Sequence, residues 1–294
     1  MAHCADSRLQ TLLDALYASR SREHLLNDPL SFCHRYADPA DQEVAAVIAS
    51  AFAYGGIKII LRNLETIFSQ LGPSPRRFVE TFSPQEGLAR FSGFKHRFND
   101  GRDLCALLWA IREMIREAGS VEGFFLCAHD PAREDVTESL NSYTRRALSL
   151  DYGPVFGGTG IPDDASFRFF FPAPEAGSAC KRLCMFLRWL VRPRDGIDLG
   201  LWSGVTSAQL LIPVDTHIQR ISGYLGFTAR RQADWRMAQE ITGALRRFDP
   251  ADPVKYDFAL AHLGISEGCR GGDRLACLSC PIKEICPQSW KTGA

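Results

Sequence analysis

Helical periodicity is the feature of this sequence that most limits what the chain can fold into. Apolar residues recur at three- and four-residue spacing through much of its 294 residues, whereas runs of alternating β-branched residues are scarce. The pattern predicts an all-α fold. The predicted helices span residues 10–17, 43–52, 57–71, 103–118, 181–191, 232–248 and 254–263. Asp41 is a plausible N-cap for the second of them, and Gly72-Pro73 is a stop signal for the third.

One region lacks the helical period. Residues 149–178 are rich in Gly and Pro and contain four phenylalanines in the run 167–171. We expect a long loop or a small hairpin here, because structureless loops of this length are uncommon and are usually functional. The phenylalanines have two possible uses. Filling the domain core is the favoured one, and a surface that stacks on bases is the other.

The overall charge is balanced but unevenly spread. Lys and Arg number 34, as do Asp and Glu, so the formal net charge is zero. That balance excludes a strongly basic nucleic-acid binder and a protein with a long acidic tail. Residues 181–294, however, hold 16 basic and 11 acidic residues, a net charge of +5, and residues 1–180 carry the opposite −5. Such an asymmetry suggests that one side of the protein faces a polyanion.

The sequence shows no sign of export or of a membrane span. Its N-terminus lacks a basic flank followed by an apolar segment. The longest apolar stretch, residues 44–57, is interrupted at Tyr54-Gly55-Gly56 and is shorter than the roughly 20 residues that a membrane span needs. We therefore expect a cytoplasmic protein, in which a group of cysteines more often binds metal than forms disulfides.

Four of the ten cysteines lie close together near the C-terminus. Cys269, Cys277, Cys280 and Cys286 are spaced as C-x7-C-x2-C-x5-C. Four thiolates in one short loop suit a [4Fe–4S] cluster. A zinc site is the alternative, although zinc ribbons usually carry two C-x2-C pairs and this loop has one. Four unligated cysteines remain a third possibility.

Asp215 is the candidate catalytic residue. It follows the apolar run Leu210-Leu211-Ile212 at the start of a predicted helix. There it could act as an N-cap, worth about 1 kcal/mol, or as a catalytic carboxylate. On its own, this position favours the structural role.

The segment around Asp215 and the cysteine loop together resemble a known family. A Val-Asp-Thr-His-x-x-Arg segment at residues 214–220, followed about fifty residues later by four cysteines, resembles endonuclease III and its relatives. These are the helix-hairpin-helix DNA glycosylases that carry a [4Fe–4S] cluster. The resemblance covers roughly residues 180–294, and the chain has one more residue in the first arm of the cysteine loop than is usual there. Residues 41–43, 51–55, 188–192 and 198–202 look like those of a divergent bacterial branch of that superfamily.

The resemblance implies a fold, a cofactor and a partner. It implies a two-lobed helical fold, with a helical barrel domain over 40–209, a loop insertion near 149–178, and an iron–sulfur domain built from 1–39 and 210–294. Asp215 matches the family's catalytic aspartate, whose carboxylate stabilises the positive charge that develops on the sugar as an N-glycosidic bond breaks. The four cysteines match the cluster ligands. DNA is the implied partner, with RNA as the alternative, and the oligomeric state is left open.

The chain departs from the family pattern in the hairpin. Bifunctional members carry a lysine about eighteen residues before the aspartate, where this chain has Ile197, and no lysine lies between Lys181 and Lys255. A monofunctional enzyme that uses water is therefore expected. The usual Leu-Pro-Gly-x-Gly is replaced by residues 195–200. Gly196 and Gly200 could hold a phosphate on backbone amides or simply form a turn between helices.

A basic helix face is the remaining candidate site. Lys181, Arg188 and Arg192 fall on one face of the predicted helix 181–191 and its end, where arginine forks could bind a nucleic-acid backbone. A solvated face that pairs with the acidic half is the alternative. Three functions stay open: a monofunctional DNA glycosylase, a non-catalytic iron–sulfur protein that binds nucleic acid or senses damage, and an enzyme of another class on the same scaffold.

Overall fold

A computed structural model of the chain describes residues 2–158, 160–271 and 274–289. The structure is mostly helical, with 58% helix and 2% strand, which confirms the predicted all-α class. The two-lobed arrangement and the domain boundaries stay predictions. Parts of the predicted loop insertion and terminal domain, namely Met1, Thr159, residues 272–273 and residues 290–294, lie outside the described residues.

Helices follow one another along the described chain, joined by turns and 3-10 helices. The α-helices are α1 (Ala2–Ala18), α2 (Pro39–Ala51), α3 (Ile57–Leu71), α4 (Pro75–Glu80), α5 (Pro84–Arg90), α6 (Gly101–Ala118), α7 (Val121–Leu126), α8 (Thr137–Leu148), α9 (Gly153–Phe156), α10 (Lys181–Val191), α11 (Thr216–Tyr224), α12 (Trp235–Arg246), α13 (Asp257–Ile265) and α14 (Arg274–Leu278). The 3-10 helices are Arg22–Asn27, Pro29–Arg35, Ser166–Phe170, Pro174–Ala176 and Ser207–Gln209. Two short strands, β1 (Lys95–His96) and β2 (Asn99–Asp100), pair antiparallel.

The seven helices that the pattern predicts correspond to α1, α2, α3, α6, α10, α12 and α13, whereas α8 and several shorter helices were not predicted. Helices α3 and α10 have the bounds that the sequence predicts. Gly72 ends α3 with a φ of 72°, a conformation that suits glycine because it has no Cβ. The predicted helix 232–248 is shorter, because Asp234 caps α12 and the chain turns again after Arg246.

The N-cap of α2 is a correction. Asp38, and not Asp41, accepts the amide N–H of Ala40, because Pro39 occupies the first helical position and starts the helix earlier than predicted. Asp41 is buried in the first turn and has another role. Its Oδ1 accepts the Ser74 hydroxyl and the Arg76 amide N–H, both at 2.8 Å, which ties α2 to the start of α4.

The region 149–178 contains short helices and, among its described residues, no hairpin. Phe167, Phe170 and Phe171 are buried among other aromatic rings, as the core-filling interpretation predicts. Phe169 is different, because 39% of its surface is exposed. One phenylalanine of the run is therefore available at the surface.

The core is centred on α2. Every residue from Asp41 to Ala51 is buried, as expected for a helix that is surrounded by other elements on all sides. Helices α10 and α4 and the 3-10 helix Pro29–Arg35 pack against it. Near the C-terminus, α13 packs against both α11 and α1. None of the described helices is long and apolar enough to cross a membrane.

Candidate functional site

A wide groove runs between the start of α3, the outer face of α10, the start of α11 and α13. It encloses about 2610 Å³ of empty space, including space open to solvent. Ionisable groups of all kinds line it. They are the carboxylates Glu23, Asp28, Asp215 and Asp257, the imidazoles His24, His217 and His262, the phenol of Tyr54, and the cations Lys58, Lys181 and Arg188.

Asp215 reaches this groove from the N-terminus of α11. Its Oδ1 accepts the amide N–H groups of His217 and Ile218, both at 2.8 Å, so the N-cap role is confirmed. Its Oδ2 has no hydrogen-bond partner among the described residues. Capping thus fixes one oxygen of the carboxylate and leaves the other for a ligand.

Asp257 provides a second, buried carboxylate in the groove. The Arg188 guanidinium donates to its Oδ2. Burial raises the pKa of Asp257 to about 6; Arg188 opposes the rise, and the negative charge of Asp215 adds to it. The two carboxylates are therefore close enough to interact electrostatically.

His262 contributes a neutral imidazole to the same groove. Burial lowers the pKa of His262 to about 4, and the neighbouring Arg20 lowers it further. Its Nδ1 lies 3.0 Å from the Ser266 hydroxyl, and its buried Nε2 has no hydrogen-bond partner among the described residues. The ring packs edge-on against His24 at 5.6 Å between centroids. Near neutral pH this imidazole is uncharged.

The predicted basic face does not form a charged surface. Arg188 and Arg192 are only 4% and 3% exposed. Asp198 is fully buried between them: Arg188 Nε lies 3.2 Å from its Oδ1, and Arg192 donates to its Oδ2. Arg192 also bonds both oxygens of Asp252, at 3.0 and 3.1 Å. The two guanidinium groups therefore bind carboxylates of their own chain. Lys181 and Arg188 line the groove, whereas Arg192 does not.

Backbone amides of the glycine turn after α10 are bonded to a side chain of the same turn. Gly196 and Gly200 have φ values of 93° and 59°. Asp195 Oδ1 accepts the amide N–H groups of Ile197 and Asp198 at 3.0 and 2.9 Å. A Cβ on Gly200 would lie 2.7 Å from the Arg194 nitrogen, so no other residue fits there. No helix begins in the described chain between this turn and Ser207, so the turn is not a helix N-terminus.

The structure brings all four predicted cysteine ligands to one pocket. Cys269, Cys277, Cys280 and Cys286 line a cavity of about 400 Å³, counting space open to solvent, whose wall is mostly apolar. Burial raises the pKa of the Cys280 thiol, and the neighbouring Cys269 and Cys286 raise it further. Among the described residues, no three His, Cys, Asp or Glu side chains are arranged to hold a metal ion as they stand. The cluster therefore stays a prediction.

Helix α11 connects the groove to this cysteine pocket. Arg220 donates one N–H to His217 Nδ1 at 3.1 Å and one to the Cys269 carbonyl at 2.6 Å. One turn later, the Tyr224 hydroxyl donates to the Arg270 carbonyl at 3.1 Å. The helix that begins at Asp215 is thus bonded along its length to the first arm of the cysteine loop.

Two groove residues escaped the sequence analysis for different reasons. Asp257 begins a helix whose apolar period is weak, and its partner Arg188 lies 69 positions earlier, so no local pattern links them. His262 occurs one turn later on the same helix. The two residues are five positions apart, about 140° around α13, so helical spacing alone does not bring them together.

The fold and the site define an all-helical protein with a charged groove and a separate pocket of four cysteines. Residues 28–266 match the family described as "Protein of unknown function (DUF2400)", and the chain belongs to this family. The matched region includes Asp215, Asp257 and His262 of the groove and ends just before Cys269. No curated protein matches the chain.

Arg192 is predicted to be essential for stability. Replacing it with Met leaves the buried Asp198 and the partly buried Asp252 with too few positive partners, so we expect a loss of about 3–5 kcal/mol in the free energy of unfolding. Urea denaturation would measure it. The control is Arg194→Met, which removes an exposed arginine with two long hydrogen bonds and should cost less than about 1 kcal/mol. Equal losses for the two variants would contradict the central role of the Arg192 pairs.

Asp257 is predicted to shape the pH dependence of stability. Its pKa is about 6 in the fold and about 4 in the unfolded chain. The folded state thus holds a proton that the unfolded state releases, which stabilises the fold fully below pH 4 and is lost as the pH rises through 6. Relative to Asp257→Asn, the wild type should therefore lose up to about 3 kcal/mol between pH 4 and 7.

Urea unfolding at a series of pH values measures this difference. Loss of the pair with Arg188 shifts the free energy of unfolding of Asp257→Asn at every pH. The test is therefore how the difference in this free energy between wild type and variant changes with pH, and not its size at one pH. Asp38→Asn alters an exposed N-cap in the same acid-to-amide way and should follow the wild-type curve. A difference between wild type and Asp257→Asn that is constant from pH 4 to 7 would show that the Asp257 carboxyl is already ionised throughout.

Proposed function

We propose that this protein is a monofunctional N-glycosylase that removes a damaged or mispaired base from nucleic acid, with DNA as the first candidate and RNA as the second. The observation that carries the proposal is the position of Asp215. One of its oxygens is fixed by two backbone N–H groups, and the other has no described partner at the edge of a groove. The resemblance of residues 214–220 to endonuclease III supports the same role.

The chemistry follows from a fixed negative charge in a groove. Hydrolysis breaks the bond between the sugar and the base, water adds to the sugar carbon, and the base leaves with a proton. Positive charge builds on the sugar as the bond breaks, and a carboxylate held in place stabilises it without having to reorganise. Asp215 can also orient the attacking water. The neighbouring Asp257 is paired with Arg188 and keeps the wall of the groove in position.

We also propose that the four cysteines hold a [4Fe–4S] cluster. Four thiols around an apolar pocket fit such a group, because a [4Fe–4S] cluster is held by four cysteine thiolates whose negative charge its iron offsets. Zinc is the alternative. The cluster would supply a rigid cross-link of the loop, and the loop's own bonds to Arg220 and Tyr224 would then hold α11.

A non-catalytic role is the second candidate. Asp215 already has a structural task as an N-cap, and the arginines expected to bind phosphate are buried. An iron–sulfur protein that binds nucleic acid or senses damage would keep the groove without using Asp215 chemically. The two candidates differ in whether removal of the Asp215 charge changes a reaction rate.

Asp215→Asn separates the cap from the charge. Asn is as good an N-cap as Asp, so the free energy of unfolding should stay within about 0.5 kcal/mol of the wild type. Base release should fall by roughly 100-fold or more, because the charge that stabilises the transition state is lost. Single-turnover release from oligonucleotides with different damaged or mispaired bases, DNA and RNA, would measure it.

The matched control for this variant is Asp234→Asn. Asp234 caps α12 through the Met237 amide at 2.8 Å and does not line the groove. Asp234→Asn should therefore leave base release unchanged. Since Lys58 and Lys181 line the groove, the assay also scores strand cleavage, which a monofunctional enzyme should not produce. Wild-type protein that binds oligonucleotides but releases no base from any of them would favour the non-catalytic role.

The cysteine assignment predicts metal content. Anaerobically purified protein should contain about four irons, with acid-labile sulfide and broad visible absorbance. Cys280→Ser and Cys286→Ser should each lose most of the iron, because each removes one of four ligands. Cys127→Ser changes an exposed cysteine outside the pocket, and this variant should retain all of the iron. One zinc per chain without colour would replace the iron assignment by zinc, and absence of both metals would contradict either.

A further inference from the structure

A small, rigid hairpin stands beside the groove. β1 and β2 pair with His96 opposite Asn99, so Arg97 and Phe98 form a two-residue turn. Arg97 has a φ of 56°, a conformation that residues other than glycine rarely adopt. Its stem lies across Gly55, where an added Cβ would be only 3.2 Å from Arg97 Cδ. The turn is therefore held in a strained and defined shape.

The base of the hairpin is locked by buried polar groups. His96 and Asn99 are fully buried. The Asn63 amide donates to the Lys95 carbonyl at 2.9 Å, and the Asn99 amide donates to Asp103 Oδ2 at 2.9 Å. His96 Nε2 lies 2.9 Å from the Tyr54 carbonyl. This network fixes the base of the hairpin to α3 and α6, and the tip projects outward from these helices.

Three aromatic rings from distant parts of the sequence meet at this tip. We call Tyr54, Phe98 and Phe169 the aromatic rim. Their ring centroids are separated by 5.5 Å, 4.9 Å and 4.7 Å in the three pairs. Phe98 is 46% exposed and Phe169 is 39% exposed. The Arg182 guanidinium lies 3.8 Å from the centroid of Phe169 and packs over the face of that ring.

Cations without acidic partners surround the aromatic rim. Lys58, Arg62, Lys95 and Arg97 are exposed, and none of them forms a salt bridge within the described residues. Lys58 and Arg62 lie one helical turn apart on α3, and Asn63 bonds that helix to Lys95. Tyr54 and Lys58 also line the groove that contains Asp215. The basic surface, the aromatic rim and the groove are thus continuous.

We propose that the aromatic rim is a stacking site for an unpaired nucleobase, with Lys58 and Arg97 binding the phosphates on either side of it. Exposed aromatic faces beside unpaired cations are the combination that binds single-stranded nucleic acid, because every base has a π-face and every nucleotide a negative charge. The proposal rests on nucleic acid being the partner. It does not require that Asp215 be catalytic.

The test uses a labelled duplex with one bulged 2-aminopurine and its fully paired counterpart, both bound by the Asp215→Asn protein so that no reaction intervenes. Stacking is worth about 1–3 kcal/mol per base, so Phe98→Ala should weaken binding of the bulged duplex by roughly 5- to 150-fold. The fluorescence of 2-aminopurine, quenched in the complex, should recover. Phe98→Trp should restore both affinity and quenching.

Phe98→Leu is the matched control, because it keeps an apolar side chain and removes the π-face. Binding as tight as with phenylalanine would show an apolar contact and overturn stacking. Lys58→Ala and Arg97→Ala should each reduce the salt slope of binding by about 1, whereas Arg116→Ala, an exposed arginine of α6 outside this surface, should not. Circular dichroism confirms that each variant is folded.

The outcomes distinguish this proposal from the glycosylase. Base release by wild type together with Phe98-independent binding would remove the stacking site and leave the enzyme. Phe98-dependent binding without base release would support the stacking site and overturn the glycosylase. Failure of the wild type to bind any of the oligonucleotides would overturn both, and would direct attention to a peptide as the occupant of the aromatic rim.

Discussion

The structure depends on the burial of Asp198 between Arg188 and Arg192. These charges come from α10 and from the turn that follows it, and they reach Asp252, in the segment before α13, and Asp257, the first residue of α13. Arg192 also extends to the Tyr17 hydroxyl of α1 at 3.3 Å. Buried ion pairs add little net stability compared with apolar packing, but a missing partner is strongly destabilising. The network therefore acts chiefly to specify one arrangement of α1, α10 and α13.

That arrangement is what places the groove. Arg188 fixes Asp257 on one wall, α13 packs against α11, and α11 presents Asp215 at its first turn. A Cβ on Gly264 would lie 2.1 Å from His217 Nδ1, so the two helices approach as closely as a glycine allows. At its other end α11 is bonded to the cysteine loop through Arg220 and Tyr224. The helix α11 thus connects the cysteine pocket at one end to Asp215 at the other.

The sequence predicted what depends on local pattern. Helices α3 and α10 follow from their apolar period, and the Asp215 cap follows from an aspartate placed just before a helix. The exposure of Arg188 could not be predicted in the same way, because its partners Asp198 and Asp257 lie 10 and 69 positions away. A helical face shows which residues point together, and only the tertiary fold shows what they meet. Two-residue strands such as β1 and β2 are too short to produce an alternating pattern.

The charge distribution also changes meaning once the fold is known. The +5 of residues 181–294 suggested that the C-terminal half faces a polyanion, yet two of its arginines are neutralised inside the fold. The cations that stay exposed beside the groove come instead from the acidic part of the sequence, on α3 and the hairpin tip. Because they are few and the net charge is zero, long-range attraction for a nucleic acid is weak. Affinity at this surface must then come from short-range contacts, which is the role that exposed rings on a rigid hairpin are suited to fill.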